Sequence, residues 1–156
     1  MSQEPVVELF VRLIIPDTTA ITALNTLKKL GFPLTKLSRE DYYQFVLDAN
    51  ADAEAFADRI KKVDVLVNAN KHRAETTINS HKEKEDFGIL VMNSDDDCAG
   101  ILKTLKERLG FAEIKSMKRG TYWTFEAEPG ADREKLAHDI AKALLYNPHY
   151  QEYLLC

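Results

Sequence analysis

The sequence predicts an α+β protein made of two tandem copies of one unit, each running strand, helix, strand pair, helix, strand. Three observations lead to this fold class. The stretch "KLGFPLTK" (29–36) returns as "RLGFAEIK" (108–115), and "YYQFVLDANADAEAFADRI" (42–60) aligns without a gap with "YWTFEAEPGADREKLAHDI" (122–140). In both copies, alternating apolar residues typical of a strand precede apolar residues at helical spacing. A duplication therefore accounts for most of the 156 residues.

Local signals fix the elements in chain order. Gly31 and Gly110 fall just past the first helix of each copy, where a left-handed residue ends a helix, and Asp52 and Asp132 can cap the second helices. "SREDY" and "KRGTY" are read as the turns of two hairpins. The predicted first copy has strand 6–15, helix 19–30, strands 35–39 and 42–49, helix 52–68 and strand 72–78. The predicted second copy has strand 87–93, helix 97–109, strands 112–118 and 121–128, helix 132–146 and strand 150–155.

A βαββαβ unit of this length is typical of the ferredoxin-like motif, in which two helices cover one face of a four-stranded antiparallel sheet. The predicted organisation is a first unit at 1–78, a linker at 79–86 and a second unit at 87–156. The linker "NSHKEKED" is polar and charged and has no periodicity. The fold class is thus two tandem ferredoxin-like units.

The first strand of each copy is apolar on both faces. "VVELFVRLII" carries apolar residues at both parities, and so does "FGILVMN". A strand of this kind expects cover on both sides, whereas two helices can cover only one face of a sheet. Small units also often need a partner to complete their core. We therefore expect the helix-free faces to pack against each other as an intramolecular pseudo-dimer.

Composition excludes several classes of function. The chain is 45% hydrophobic and 29% charged, with a net charge of -4 and no dominant cluster of basic residues, so a nucleic-acid partner is not expected. The start, "MSQEPVVELFVRLII", lacks the features of a secretory signal, and no apolar run is long enough to span a bilayer. We expect a cytoplasmic protein that does not bind membranes. Cys98 and Cys156 have no metal-ligand spacing and predict no disulfide framework.

Few residues suggest chemistry. Asp95, Asp96 and Asp97 could form a divalent cation site, but carboxylates before a helix favour capping. Cys98 follows them, and the neighbouring negative charge favours a small buried residue over an activated thiolate. His72 and His149 are aligned in the two copies, which fits either a paired ligand or base role or a duplicated loop.

Motifs for phosphate binding, nucleophilic catalysis and zinc binding are all missing from the sequence. No cofactor, metal or catalytic residue is therefore predicted. The strand aromatics are read as core or interface residues rather than as a platform for stacking bases. They are Tyr42, Tyr43, Phe45, Tyr122 and Trp123.

Three stretches of the second copy resemble the PurS subunit of phosphoribosylformylglycinamidine synthase, a single βαββαβ domain. "DCAGILKTLKERLGF" (97–111) is similar to its first helix, "MKRGTYWTFEAE" (117–128) to its hairpin, and "LLYNPHYQEYLL" (144–155) to its N-P-containing ending. Cys98 stands where the family has proline. The first copy follows by internal alignment, so the chain resembles a tandem PurS-like protein.

The resemblance implies a structural role rather than catalysis. A PurS-like subunit joins a glutaminase (PurQ-like) to an ATP-dependent synthetase (PurL-like) in de novo purine biosynthesis, and PurS subunits also self-associate in pairs. The predicted partner contacts are Asn147, Pro148, Tyr150 and Glu152 in the loop and strand of the last matching stretch. An ordinary function, ending a helix and starting an edge strand, remains open for these residues.

Two further hypotheses come from other classes. A tandem ACT-like regulatory module shares the βαββαβ topology and binds a small amino acid, usually through a glycine-bearing loop after the first strand. Gly100 is the nearby glycine here, and it falls inside a helical pattern. The other hypothesis is an enzyme that uses the Asp95 to Asp97 cluster with a metal ion.

Overall fold

A computed structural model of the chain describes residues 4–78, 88–93 and 98–155. Within these residues the protein is mixed α+β, with four α-helices and a six-stranded antiparallel sheet whose strand order is β3-β1-β2-β5-β4-β6. The α+β class is therefore confirmed. The first-copy elements are β1 (Val6–Leu13), α1 (Thr18–Lys29), β2 (Leu34–Leu47), α2 (Ala53–Ile60) and β3 (His72–Ile78). The second-copy elements are β4 (Gly88–Asn93), α3 (Ala99–Glu107), β5 (Ile114–Ala127), α4 (Arg133–Ile140), a π-helical turn (Ala141–Leu145) and β6 (Gln151–Leu155).

The two predicted hairpins are wrong, and with them the count of four strands per sheet. "SREDY" and "KRGTY" are extended, so β2 and β5 are single strands of 14 residues each. The two strands are sheet neighbours, and amide hydrogen bonds from Asp48 to Glu113 and from Glu128 to Pro33, both 2.9 Å, lie at opposite ends of the pair. Turn propensity is a weak local preference, and pairing with a neighbouring strand overrides it.

The described residues form two compact units that cut across the sequence repeats. The first unit contains residues 4–14, 41–78 and 98–119, and the second contains residues 15–40, 88–93 and 120–155. Each unit therefore combines segments of both copies, and β2 and β5 each contribute one half to each unit. The division at 1–78 and 87–156 stays a prediction about sequence repeats, as does the packing of helix-free faces. The linker at 79–86 lies outside the described residues.

The core of the first unit joins α2 of the first copy to α3 of the second. Phe56 on α2 packs edge-to-face against Phe45 at 5.3 Å and against Phe111 at 5.5 Å. Arg59 lies over the Phe111 ring at 4.5 Å and donates hydrogen bonds to Glu113 and to the Gly110 carbonyl, both 2.8 Å. Apolar residues from both copies therefore exclude water together, which is the main stabilising term of the unit.

The second unit repeats this construction with the roles of the copies exchanged. Leu27 of α1 shares one buried cluster with Ile89, Trp123 and Ile140. At its margin Tyr146 packs edge-to-face on Tyr153 at 4.7 Å. A helix of the first copy therefore completes a core whose other members come mainly from the second copy.

The predicted capping aspartates and the glycines past the first helices are found where the sequence places them. Asp52 and Asp132 accept hydrogen bonds from the amides of Ala55 and Lys135, three residues along, so both predicted N-caps are confirmed. Gly31 and Gly110 have φ of 93° and 79°, the left-handed conformation expected past a helix end. The predicted cap by Asp95 to Asp97 lies outside the described residues.

The second helix of the first copy ends well before its predicted limit of residue 68. After Ile60 the chain turns, with amide hydrogen bonds from Val63 to Ile60 and from Leu66 to Val63. Val63, Leu66 and Val67 stay buried in the first-unit core. The apolar spacing persists through these turns, and this spacing is what predicts a helix as far as residue 68.

The start of α1 carries a cap that the sequence analysis did not name. Asp17 accepts hydrogen bonds from the amides of Thr19 and Ala20 and forms a bidentate ion pair with Arg39 at 2.9 and 3.1 Å. Partial burial by itself raises the pKa of Asp17. The pKa is nevertheless held below its ordinary value by the hydrogen bonds from Arg39 and Ala20, the positive charge of Arg39 and the hydrogen bond from the Thr19 amide. The carboxylate therefore stabilises the folded chain in its ionised form.

We expect Asp17→Asn to lower stability by about 1 kcal/mol at neutral pH, because asparagine still caps a helix but cannot pair with Arg39. A lowered folded-state pKa gives stability that is present above the unfolded-state pKa, near 3.9, and is lost as the pH falls through the folded-state pKa. The difference between parent and variant should thus hold above about pH 5 and shrink on acidification to about pH 2. Urea denaturation across this range measures it, and an unchanged difference at low pH would contradict the assignment.

Candidate partner-binding edge

The loop before β6 is a tight turn organised by Asn147. The side-chain oxygen of Asn147 accepts a hydrogen bond from the backbone amide of His149 at 3.0 Å. The backbone carbonyl of Asn147 accepts one from the backbone amide of Gln151 at 2.8 Å. The Gln151 side chain accepts from the Asn147 amide at 2.8 Å and donates to Asn93 at 3.0 Å. Asn147 is half-buried. Its side chain therefore holds the turn, and the other three predicted contact residues are the exposed ones.

Strand β6 lies at one edge of the sheet, next to β4. Alternate residues on it differ in exposure, because Tyr153 and Leu155 pack against the second-unit core while Glu152 and Leu154 are exposed. Tyr150, which directly precedes the strand, is also exposed. Tyr150 and Leu154 are 51% and 55% exposed. We call this row of Tyr150, Glu152 and Leu154, with Pro148, the β6 edge. Leu154 was not predicted, although its period-two spacing from Tyr150 and Glu152 is visible in the sequence.

An edge strand of this kind can bind another chain by strand addition. Its outer N–H and C=O groups supply main-chain hydrogen bonds, and its alternate side chains supply specificity. An exposed tyrosine and leucine on either side of a carboxylate offer an apolar contact with one charged anchor. The β6 edge therefore brings together three of the four predicted contact residues.

The first copy ends in the same turn, which revises the alignment of the two copies. The side-chain oxygen of Asn68 accepts a hydrogen bond from the backbone amide of Asn70 at 2.9 Å. The backbone carbonyl of Asn68 accepts one from the backbone amide of His72 at 2.7 Å. The Asn68 amide donates to Nδ1 of His72 at 2.9 Å, as the Asn147 amide donates to Gln151. His72 therefore corresponds to Gln151, and its predicted equivalence with His149 is wrong. The paired-histidine hypothesis loses its basis.

The structure describes only some of the other candidate residues. Cys98 is buried, as predicted, and begins α3 with a positive φ of 58° and no side-chain cap. Across residues 4–78, 88–93 and 98–155 no group of three or more His, Cys, Asp or Glu is placed to hold a metal ion. The Asp95 to Asp97 cluster and Cys156 lie outside the described residues. Burial raises the pKa of Tyr43, with a further contribution from Asp41, so this phenol stays protonated at neutral pH.

The strand aromatics are mostly core residues, as predicted. Tyr42, Phe45, Tyr122 and Trp123 are buried, and Tyr43 packs against the first-unit core. No helix in the described part of the chain has both the length and the apolar character needed to cross a membrane.

A buried carboxylate escaped the sequence analysis. Glu8, in the middle of β1, is 4% exposed and accepts hydrogen bonds from the hydroxyls of Tyr42 at 2.6 Å and Thr77 at 3.1 Å. The aligned position in the second copy is Gly88, and a Cβ there would lie 2.1 Å from the Tyr122 hydroxyl. Tyr42 and Tyr122 are aligned in the two copies. The first donates a hydrogen bond to Glu8, and the second occupies the space left by the missing side chain of Gly88. Single residues gave no signal of this pairing, because it requires the strand register.

Comparison with known proteins adds no further assignment. No protein-family model matches the chain, and no curated protein matches it.

Proposed function

We propose that this protein is a non-catalytic, PurS-like structural subunit of a phosphoribosylformylglycinamidine synthase. In this role it binds a glutaminase and an ATP-dependent synthetase, so that ammonia released from glutamine reaches its acceptor without escaping to water. The observation that carries the proposal is the β6 edge. The most specific stretch of the resemblance, residues 144–155, contains both the Asn147 turn and the exposed row on β6.

We further infer that each compact unit is ferredoxin-like. In the first unit the sequence β1, α3, first half of β5, second half of β2, α2, β3 reads as βαββαβ. The shared core supports placing both helices on one sheet face, because Leu105 of α3 and Phe56 of α2 cluster with Val7 and Leu9 of alternate β1 positions. The ferredoxin-like unit would then be completed by exchange of helix and strand segments between the two copies.

The mechanism we propose is docking rather than chemistry. A partner strand pairs with the outer edge of β6, the Tyr150 and Leu154 side chains enter apolar depressions on the partner, and Glu152 meets a basic group. Main-chain pairing supplies affinity with little reorganisation, since β6 is already extended and its entry turn is fixed by Asn147.

The experiment is co-purification of the full chain with the glutaminase and synthetase of its own host, followed by size-exclusion chromatography. We expect a stable complex that Tyr150→Ala or Glu152→Lys weakens by about tenfold or more, as is typical for a central interface residue. Glu107→Lys, the same charge reversal at an exposed position on α3, is the matched control and should bind normally. No complex with either protein, or glutamine hydrolysis by the pure chain, would contradict the proposal.

The second candidate is a tandem ACT-like module that binds a small amino acid. Calorimetry against a panel of free amino acids distinguishes the two roles. The regulatory module should show micromolar binding and the structural subunit no heat above dilution.

A further inference from the structure

A cavity of about 450 Å³ lies within the second unit, apart from the β6 edge. One wall is the start and middle of α1, where Thr18, Thr19, Thr22 and Thr26 line it. This volume falls within the usual range for small-molecule sites, and a cavity a third of this size can hold benzene. The cavity is therefore large enough for a ligand of one or two rings.

The rest of the lining is apolar. Trp123 of β5 and Leu144 and Leu145 of the π-helical turn form it, and Ala23 joins them from α1. Leu144 is exposed, as are the threonines nearest the helix start, so the cavity opens to solvent. An indole beside aliphatic side chains favours a flat aromatic molecule, through stacking or edge contacts.

The internal repeat explains why the second unit has space here. Thr26 donates to the Thr22 carbonyl at 3.0 Å, and Thr104 donates to the Gly100 carbonyl at 3.1 Å, which aligns α1 with α3. Ala23 then corresponds to Ile101, which packs against the first-unit core together with Tyr43, the counterpart of Trp123. Alanine in place of isoleucine removes bulk from the cavity wall.

The lining contains polar hydroxyl groups but no charged group, which limits the class of ligand. None of the lining residues is ionisable, so a charged group held against Trp123 and Leu145 would lose part of its water without gaining a charged partner. The nearest charged cap, Asp17, is already paired with Arg39. Threonine hydroxyls can both donate and accept hydrogen bonds. A neutral molecule with one polar group fits, and an amino-acid zwitterion does not.

We propose that this cavity is a binding site for a neutral, flat aromatic molecule carrying one hydrogen-bonding group, with its ring against Trp123 and its polar group on the threonine face of α1. The site is independent of the docking role proposed for the β6 edge. Its chemical class is that of an aromatic amide or phenol.

Benzamide, benzoate and benzamidinium share one shape and differ in charge, so they test the class directly. Trp123 is the chain's only tryptophan, so tryptophan emission comes from a residue that lines the cavity. In titrations of the full chain we expect a saturable change with benzamide, with a Kd on the order of 1 mM for so small a probe. Benzoate and benzamidinium should each bind at least about tenfold more weakly than benzamide, because each would bury part of an unpaired charge.

Variants locate the binding. Ala23→Ile restores the bulk found at Ile101 and should weaken benzamide binding by about tenfold or more. Ala55→Ile, the same change at an exposed position on α2, is the matched control and should bind like the parent. Thr22→Val keeps the shape of an exposed side chain while removing its hydroxyl, and should weaken binding several-fold without unfolding the chain.

Three results would overturn the proposal. They are an emission change that does not saturate, equal affinity for the three probes, and benzamide binding that neither Ala23→Ile nor Thr22→Val reduces. Thermal unfolding of each variant tests whether it is folded. If Ala23→Ile does not fold, benzamide binding by Thr22→Val decides whether the proposal holds.

Discussion

Leu105→Ala is expected to destabilise the protein by about 2–5 kcal/mol, and to loosen segments of the first copy although Leu105 belongs to the second. Leu105 is 0% exposed and sits in a cluster dominated by β1, α2 and the second half of β2. Removing its side chain leaves a cavity that the surrounding residues fill only in part. Hydrogen exchange followed by mass spectrometry should show lost amide protection in β1, α2 and β3, with less change in β4, α4 and β6.

Leu27→Ala is the reciprocal control. Leu27 is also fully buried, but it lies on α1 of the first copy within the second-unit core. Its replacement should lower protection in β4, α4 and β6 more than in β1, α2 and β3. If each variant instead loosened only its own sequence copy, the exchanged composition of the two units would be wrong.

Gly120→Ala is expected to cost about 3 kcal/mol, close to the upper end of the usual range for overpacking. A Cβ at this position would lie 2.1 Å from the Val91 carbonyl oxygen and 2.9 Å from the Met92 sulfur. Gly120 pairs with Met92 in the ladder between β4 and β5, so the clash is with backbone that hydrogen bonds hold in place. Urea denaturation of parent and variant measures the loss.

Gly100→Ala provides the matched control. Gly100 lies on α3, and a Cβ there would meet nothing within 4 Å. Alanine in a helix is favoured over glycine, so this variant should be more stable than the parent by about 0.5–1 kcal/mol. Equal effects of the two substitutions would show that close approach at Gly120 is not the cause.

Gly120 also shows where local signals mislead. "KRGTY" carries the residues of a turn, and the sequence analysis placed a hairpin there. The glycine is present because another strand passes too closely for a side chain, a reason that only the β4 and β5 register reveals. Asn147 is a further residue whose role in the turn only the structure reveals, since its side chain accepts the hydrogen bond from the His149 amide.

Around β6, the exposure of single residues follows from the sequence, whereas the pairing of the strands does not. The exposed positions of Tyr150 and Glu152 follow from strand alternation, which sequence carries directly. Leu154 and the edge location of β6 depend on which strands pair, and pairing between segments distant in sequence leaves no mark in a single chain. The cavity beside Trp123 could not be predicted either, because its walls come from α1, β5 and the turn after α4.

The sequence by itself determined the α+β class, the Asp52 and Asp132 caps and the glycines that end α1 and α3, because each depends on residues a few positions apart. It also determined the duplication, because stretches 42–60 and 122–140 can be compared residue by residue without a structure. The tertiary structure decided how the copies are combined. It joined each predicted strand pair into one long strand and placed the helices of one copy into the core of the other. Burial of apolar surface is non-directional, so a repeat can complete its core with its own helix or with the equivalent helix of the other copy, and only the folded chain shows which.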